Sequence, residues 1–135
     1  MLKKIFFLGV LVSLSFAQFK SIDANTMQQM IKKGVKVIDI RREEEFKALG
    51  IIKTAYRLTF FDAQGKYNIQ NWMAKFTQIV KTKEQPFIIY CAHANRSKVV
   101  GKFLSDQLGY KNVYELDGGI VYGWIDKKLP TVPAK

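Results

Sequence analysis

Short β-branched runs alternate with stretches of helical period along most of this chain, and few architectures accommodate that pattern. Val35 to Ile40 (Val-Lys-Val-Ile-Asp-Ile) reads as a buried strand, and so does Phe87-Ile88-Ile89-Tyr90 behind the boundary at Pro86. Asn112 to Leu116 is a third strand, and Ala55 to Thr59 a shorter one. Between them, Asp23-Ala24-Asn25-Thr26 supplies caps for a helix bearing Met27, Met30 and Ile31 and closed by Gly34. Glu43 to Leu49 predicts a short helix ending at Gly50, and Ile69, Trp72, Met73, Phe76, Ile79 and Val80 recur at helical spacing. Arg96 to Leu108 predicts a helix with Val99, Val100, Phe103, Leu104 and Leu108 on one face, stopped by Gly109. Gly118-Gly119 opens a last helix around Val121 to Ile125. The polar, proline-containing segment after Trp124 reads as a loosely held terminus. Strands alternating with helices imply βαβ units, hence an α/β domain with a mainly parallel β-sheet flanked by helices on both faces.

The ends of that domain follow from composition. Met1-Leu2-Lys3-Lys4 is a short basic region and Ile5 to Phe16 an uncharged apolar stretch. Ser15 and Ala17 then place small residues at −3 and −1 of a cleavage point before Gln18, the pattern of a secretory signal peptide. The apolar run is shorter than the ~20 residues of a membrane span, so no stable span is expected. The expected division is a signal peptide at 1–17 and one domain at 18–135, located in the periplasm or secreted. Retention of the segment as an anchor and its use as a first strand or helix of the domain are the other readings.

Of the 135 residues, 22 are basic and 11 acidic, a net charge of +11. Removing Lys3 and Lys4 leaves 20 basic residues against the 11 acidic ones, a net +9. The lysines are scattered rather than gathered in one stripe, which argues for a solvated surface and against nucleic acid as a partner. Such a surface favours small anions. The single cysteine, Cys91, leaves no internal disulfide, so the core alone holds the fold. In an oxidising compartment a lone thiol is exposed to oxidation, and its presence asks for a reason.

That reason is its position. Cys91 ends the strand Phe87–Tyr90 and begins the loop Cys91-Ala92-His93-Ala94-Asn95-Arg96-Ser97, which leads into a helix. In parallel sheets ligands bind beyond the carboxyl ends of the strands, at such loops. A sharp turn there converges backbone N–H groups on the centre, and the helix adds its unpaired N–H groups and positive end. Both favour thiolate over thiol, the condition for a reactive cysteine. Arg96, near the helix start, is placed to fix the loop or bind an anionic substrate, and Ser97 to cap the helix or hydrogen-bond the sulfur.

This loop, with cysteine first, arginine sixth and serine seventh, resembles the active-site loop of rhodanese domains. The similarity runs over roughly residues 20 to 126. Val37-Ile38-Asp39-Ile40-Arg41 resembles the family's Asp-Val-Arg stretch, and Glu45-Phe46 followed by Gly50-Ile51-Ile52 its Glu-aromatic and Gly-His-Ile region. Gly109-Tyr110-Lys111-Asn112-Val113, then Leu116-Asp117-Gly118-Gly119 with Trp124, match its later signals in order and spacing. Two departures stand out: Ile51 where histidine is frequent, and Ala94 where the loop often has glycine. A Cβ at Ala94 raises the energy of a left-handed turn.

The resemblance implies a sulfurtransferase in which Cys91 is the nucleophile and Ala92, His93, Ala94, Asn95, Arg96 and Ser97 hold the substrate. Cys91 would take sulfane sulfur from a small anionic donor such as thiosulfate, and pass it from a persulfide to cyanide, a thiol or a protein cysteine. No cofactor or metal is implied, and a monomer or weak dimer is expected. Three other classes stay open. One is a non-enzymatic sulfur carrier or redox-sensing module. Another is a phosphatase or arsenate reductase of related fold, whose loops are one residue longer, as seating a tetrahedral oxyanion requires. The third is a binding module for anions, for which Cys91 would be dispensable. Among the remaining residues, His93 either orients an anion or faces solvent. Arg41 either contacts substrate or forms a structural ion pair with Asp39. The Glu43-Glu44-Glu45 run reads as the acidic first turn of a helix.

Overall fold

The computed structural model describes residues 16–135, and there the alternation becomes a five-stranded, wholly parallel sheet. The strands are β1 (Gln18–Ile22), β2 (Lys36–Asp39), β3 (Tyr56–Arg57), β4 (Phe87–Tyr90) and β5 (Asn112–Leu116). The helices are α1 (Ala24–Lys32), α2 (Glu43–Leu49), α3 (Ile69–Ile79), α4 (Asn95–Lys102) and α5 (Gly119–Gly123). Spatial order is β1-β5-β4-β2-β3, which puts β4 at the centre, between β5 and β2. Cys91 follows β4, so the reactive loop leaves from the middle of the sheet.

Alternation along the strands divides the core in two. Ile38, Ile40, Phe87, Ile89, Cys91 and Val113 face Trp72 and Phe76 of α3 and Val100 of α4. Val37, Ile88, Tyr90 and Leu116 face Met27 of α1 and Ile120 of α5, with Trp124 just beyond. The cysteine thus lies on the side covered by α4, the helix its own loop begins. Asp23 caps α1 by accepting from the Thr26 amide, and Asn68 caps α3 in the same way through Asn71, at 2.8 and 3.0 Å.

Four features differ from the sequence reading. Strand β1 was not expected: it is mostly exposed, carries no apolar run, and exists by pairing with β5. The helix after the loop starts at Asn95 and widens into a π-helical stretch, Phe103–Gln107, before Gly109. Val99 is 61% exposed, at the edge of the stripe whose buried members are Val100 and Leu104. The C-terminal tail is docked rather than loose. Ile51 and Val132 exchange two backbone hydrogen bonds of 2.8 Å, Thr131 donates to the Leu49 carbonyl, and Trp124 Nε1 donates to that of Pro130. Gly50 permits this contact, since a Cβ there would lie 2.5 Å from the Val132 oxygen. The expected signal peptide falls almost wholly on residues 1–15, outside the described residues. No helix among the described residues is long and apolar enough to cross a membrane.

Candidate active site

Cys91 is 1% exposed, at the floor of the loop. Two features hold the loop in shape. Ala94 is the N-cap of α4 in the left-handed region, φ 69°, the conformation that glycine adopts without strain. The carbonyls of Cys91 and Ala92 accept from the amides of Ile120 and Val121, at 2.9 and 3.0 Å. The close approach of α5 to the loop needs Gly119, which sits at positive φ. A Cβ on Gly119 would lie 2.7 Å from the Cys91 oxygen and 2.5 Å from the Ala92 carbonyl carbon.

Around the sulfur, the Ser97 amide donates to Sγ at 3.3 Å, and Ser97 Oγ lies 3.5 Å from it. Ser97 is the third residue of α4, so this contact spends one of the orphan N–H groups of the helix start on the sulfur. Those of Asn95 and Arg96 have no intrahelical acceptor either. Of the two jobs the sequence offered it, Ser97 bonds the sulfur, while Ala94 holds the N-cap position and no side chain caps the helix start. His93 and Asn95 are exposed, and the His93 ring packs on that of Tyr122 at 4.8 Å between centroids. Ala92 and Ala94 are buried, and shape the loop through backbone.

Arg96 does not stand free at the mouth. Its Nη1 and Nη2 each donate to a Glu45 carboxylate oxygen at 2.7 Å, a two-pronged bridge from the loop to α2. The Glu45 bond comes first in raising the Arg96 pKa, ahead of the opposing effect of burial. Burial pushes the Glu45 carboxyl up, but bonds from Arg96 and from the Arg42 amide outweigh it, and its pKa is lowered. Glu45 is therefore more than first-turn charge, and the sequence offered only its place in a Glu-aromatic motif. Arg41 forms the ion pair with Asp39 that was one of its two readings. It is wholly buried, with Nε and Nη2 on the Asp39 carboxylate, Nη1 on the Glu45 carbonyl at 3.2 Å and Nη2 on that of Gly50 at 2.7 Å. With those donors committed, it ties the end of β2 to both ends of α2.

The residue that sequence reasoning passed over is Glu115. It sits on β5 with the parity of Val113, facing α4, and is wholly buried. Its Oε2 lies 2.5 Å from Ser97 Oγ, and its Oε1 accepts from Ser21 and Lys98, each at 2.6 Å. The signal was available: a glutamate at an inward position of a strand buried on both faces.

Comparison with known proteins agrees with the geometry. The rhodanese-like domain family matches residues 23–126. The chain belongs to the rhodanese-like family. Among curated relatives of this rhodanese-like chain is the thiosulfate sulfurtransferase GlpE of Haemophilus influenzae. It is 28% identical over 112 residues, covering 83% of this chain and 93% of the relative. A rhodanese-related protein from Thermoplasma volcanium superposes with a TM-score of 0.62 at 26% identity, over 84% of this chain and 97% of the other. The polysulfide-sulfur transferase homodimer of Wolinella succinogenes shares the fold at TM-score 0.65 and 20% identity, over 87% and 80% of the two chains.

Proposed function

We propose that this rhodanese-like chain is a sulfurtransferase moving sulfane sulfur from a donor such as thiosulfate to a thiol or cyanide through a Cys91 persulfide. The observation that carries the reading is Cys91 Sγ at the floor of a four-residue loop, receiving an amide from the first turn of α4. The Cys91 thiolate attacks the outer sulfur of thiosulfate. A new S–S bond forms, the old one breaks, and sulfite leaves with its electron pair. The acceptor's anion then attacks the terminal sulfur, and the Cys91 thiolate is restored. Helix-start amides and the positive end of α4 stabilise anionic sulfur at each stage, because they are fixed in place before the charge arrives.

The tight loop also supports selectivity for sulfur. A cysteine only 1% exposed admits the slim terminal atom of a sulfane donor more readily than a tetrahedral oxyanion. The net-basic surface draws small anions toward it. The same proposal places the mature chain outside the cytoplasm, from the pattern of Met1 to Ala17.

Intact-mass measurement before and after thiosulfate tests the reading, together with thiocyanate formation from cyanide. The native protein should gain one sulfur and turn over. Cys91→Ser, nearly isosteric, should stay folded and do neither. Thiocyanate formation by that variant, or aryl phosphate hydrolysis by a native protein that transfers no sulfur, would overturn it.

A further inference from the structure

Thiosulfate carries two negative charges, formally one on the outer sulfur that Cys91 would take and one on the oxygens of its sulfonate end. A site made for it offers a free cation to that second charge, as a guanidinium does to an oxyanion. Arg96 is the loop's own cation and lies within electrostatic reach of Cys91. Both of its terminal nitrogens are spent on Glu45, at 2.7 Å to each carboxylate oxygen. The two side chains are 24% and 21% exposed, so the bridge stands within reach of an arriving donor. The pair brings no net charge to the mouth, and an anion reaching for Arg96 would have to displace a carboxylate from it. The neighbouring cations are no substitute, since Arg41 is buried on Asp39 and Lys98 is bonded to buried Glu115. The Ser97 amide and the start of α4 serve the transferred sulfur rather than a second charge.

We propose that Glu45 sets donor specificity: by neutralising Arg96 it turns the site away from dianionic thiosulfate and toward sulfane donors whose leaving end is uncharged, namely thiosulfonates and the persulfides of organic thiols. The proposal deepens the sulfurtransferase reading and rests on it, with thiosulfate a donor but a poorer one. The chemistry at Cys91 is the same for each class. The thiolate attacks the outer sulfur, a new S–S bond forms and the old bond breaks. The leaving end departs with its electron pair, as sulfite from thiosulfate, a sulfinate from a thiosulfonate or a thiolate from a persulfide. Only the charge that the leaving end brings to the mouth differs.

Methanethiosulfonate isolates that charge, because a methyl group replaces one oxygen of thiosulfate and one negative charge goes with it. The readout is the ratio of kcat/KM for thiosulfate to kcat/KM for methanethiosulfonate, from thiocyanate formation at one pH and one ionic strength. In a double displacement each value reports the first transfer alone. A general loosening of the loop slows both donors alike and leaves the ratio unmoved. Counting this pair only, the mouth is neutral in the native protein, positive by one charge in Glu45→Gln, negative by one in Arg96→Gln and neutral in the double variant. Glu45→Gln, whose amide oxygen still accepts a bond from Arg96, should raise the ratio on the order of tenfold. Arg96→Gln should lower it by a similar factor, and the double variant should return it close to the native value. That variant leaves no unpaired charge in the bridge, so it decides the question even where a single variant fails to fold. If Arg96 itself grips the sulfonate, the double variant falls as far as Arg96→Gln; that result, or a ratio indifferent to Glu45→Gln, would overturn the proposal. A native protein that gains sulfur mass from neither donor sinks the sulfurtransferase reading itself, and this proposal with it.

Discussion

Replacing Gly119 by alanine should separate the strain of a backbone conformation from the seating of the reactive loop, because Gly65 provides a matched control. Both glycines have positive φ, +66° at Gly119 and +75° at Gly65. An alanine at Gly65 meets nothing within 4 Å, so Gly65→Ala bears only the left-handed cost of about 1–2 kcal/mol. At Gly119 the added Cβ overlaps the carbonyl groups of Cys91 and Ala92, which are backbone and cannot rotate aside. Either α5 or the loop must retreat, stretching the Ile120–Cys91 and Val121–Ala92 hydrogen bonds. Each contributes about 1 kcal/mol net. Gly119→Ala should thus cost roughly 3–4 kcal/mol in urea unfolding, about twice the Gly65→Ala cost. A loop displaced by about 1 Å should also lose on the order of a hundredfold in sulfur transfer, while Gly65→Ala keeps full rate. Equal stability losses in the two variants, with activity intact in both, would refute the claim that α5 seats the loop.

Three further outcomes follow from the ion pairs and the chain start. Because the Glu45 pKa is lowered on folding, its contribution is present above the ordinary value of 4.5 and disappears as pH falls through the lower folded value. Glu45→Gln should therefore lower the urea midpoint at pH 7, and the gap to the native protein should close as pH falls through and below 4.5; a gap independent of pH contradicts the pairing. Asp39→Asn leaves the Arg41 charge buried without its partner and should cost about 3–5 kcal/mol in the same assay, against a loss near zero if the pair were incidental. N-terminal sequencing of the native protein should begin at Gln18, the first residue of β1; a start at Met1 would revive the anchor.

What the sequence disclosed, and what it withheld, divides along a physical line. Local signals were readable: apolar runs with β-branched residues for β2 and β4, the capping residues before α1, the helical spacing of α3, and glycines at the end of α2 and the start of α5. The Cys91 loop was readable for the same reason, since strand, turn and helix are contiguous. The missing parts depend on distant partners. β1 is an edge strand made by its register with β5, and the tail is fixed by a bridge to Ile51 on the far side of the chain. Glu45 and Glu115 gained their roles from residues 51 and 18 positions away, so no window along the sequence contained both members of either pair. Ala94 stands where such loops often have glycine, and the fold keeps the turn regardless at φ 69°. The bonds from α5 and the Ser97 contacts hold the loop closed against the about 1–2 kcal/mol of left-handed strain.

The arrangement of charge near the sulfur bears on how it is activated. Arg41 is held by Asp39, Arg96 by Glu45, and Lys98 by Glu115, so the cations around the loop come with carboxylates already attached. A paired cation stabilises a nearby anion far less than a free one, because its field is largely cancelled by its partner. The surplus of basic residues therefore acts at a distance, drawing anions to the surface, and not at the bond being made. Close to Cys91 the stabilisation falls to neutral dipoles: the Ser97 amide and the start of α4. Such donors suit the proposed double displacement, in which sulfur carries negative charge both as thiolate and as persulfide. Fixed dipoles of moderate strength would support each anionic stage of that reaction without holding any of them as tightly as a free cation would.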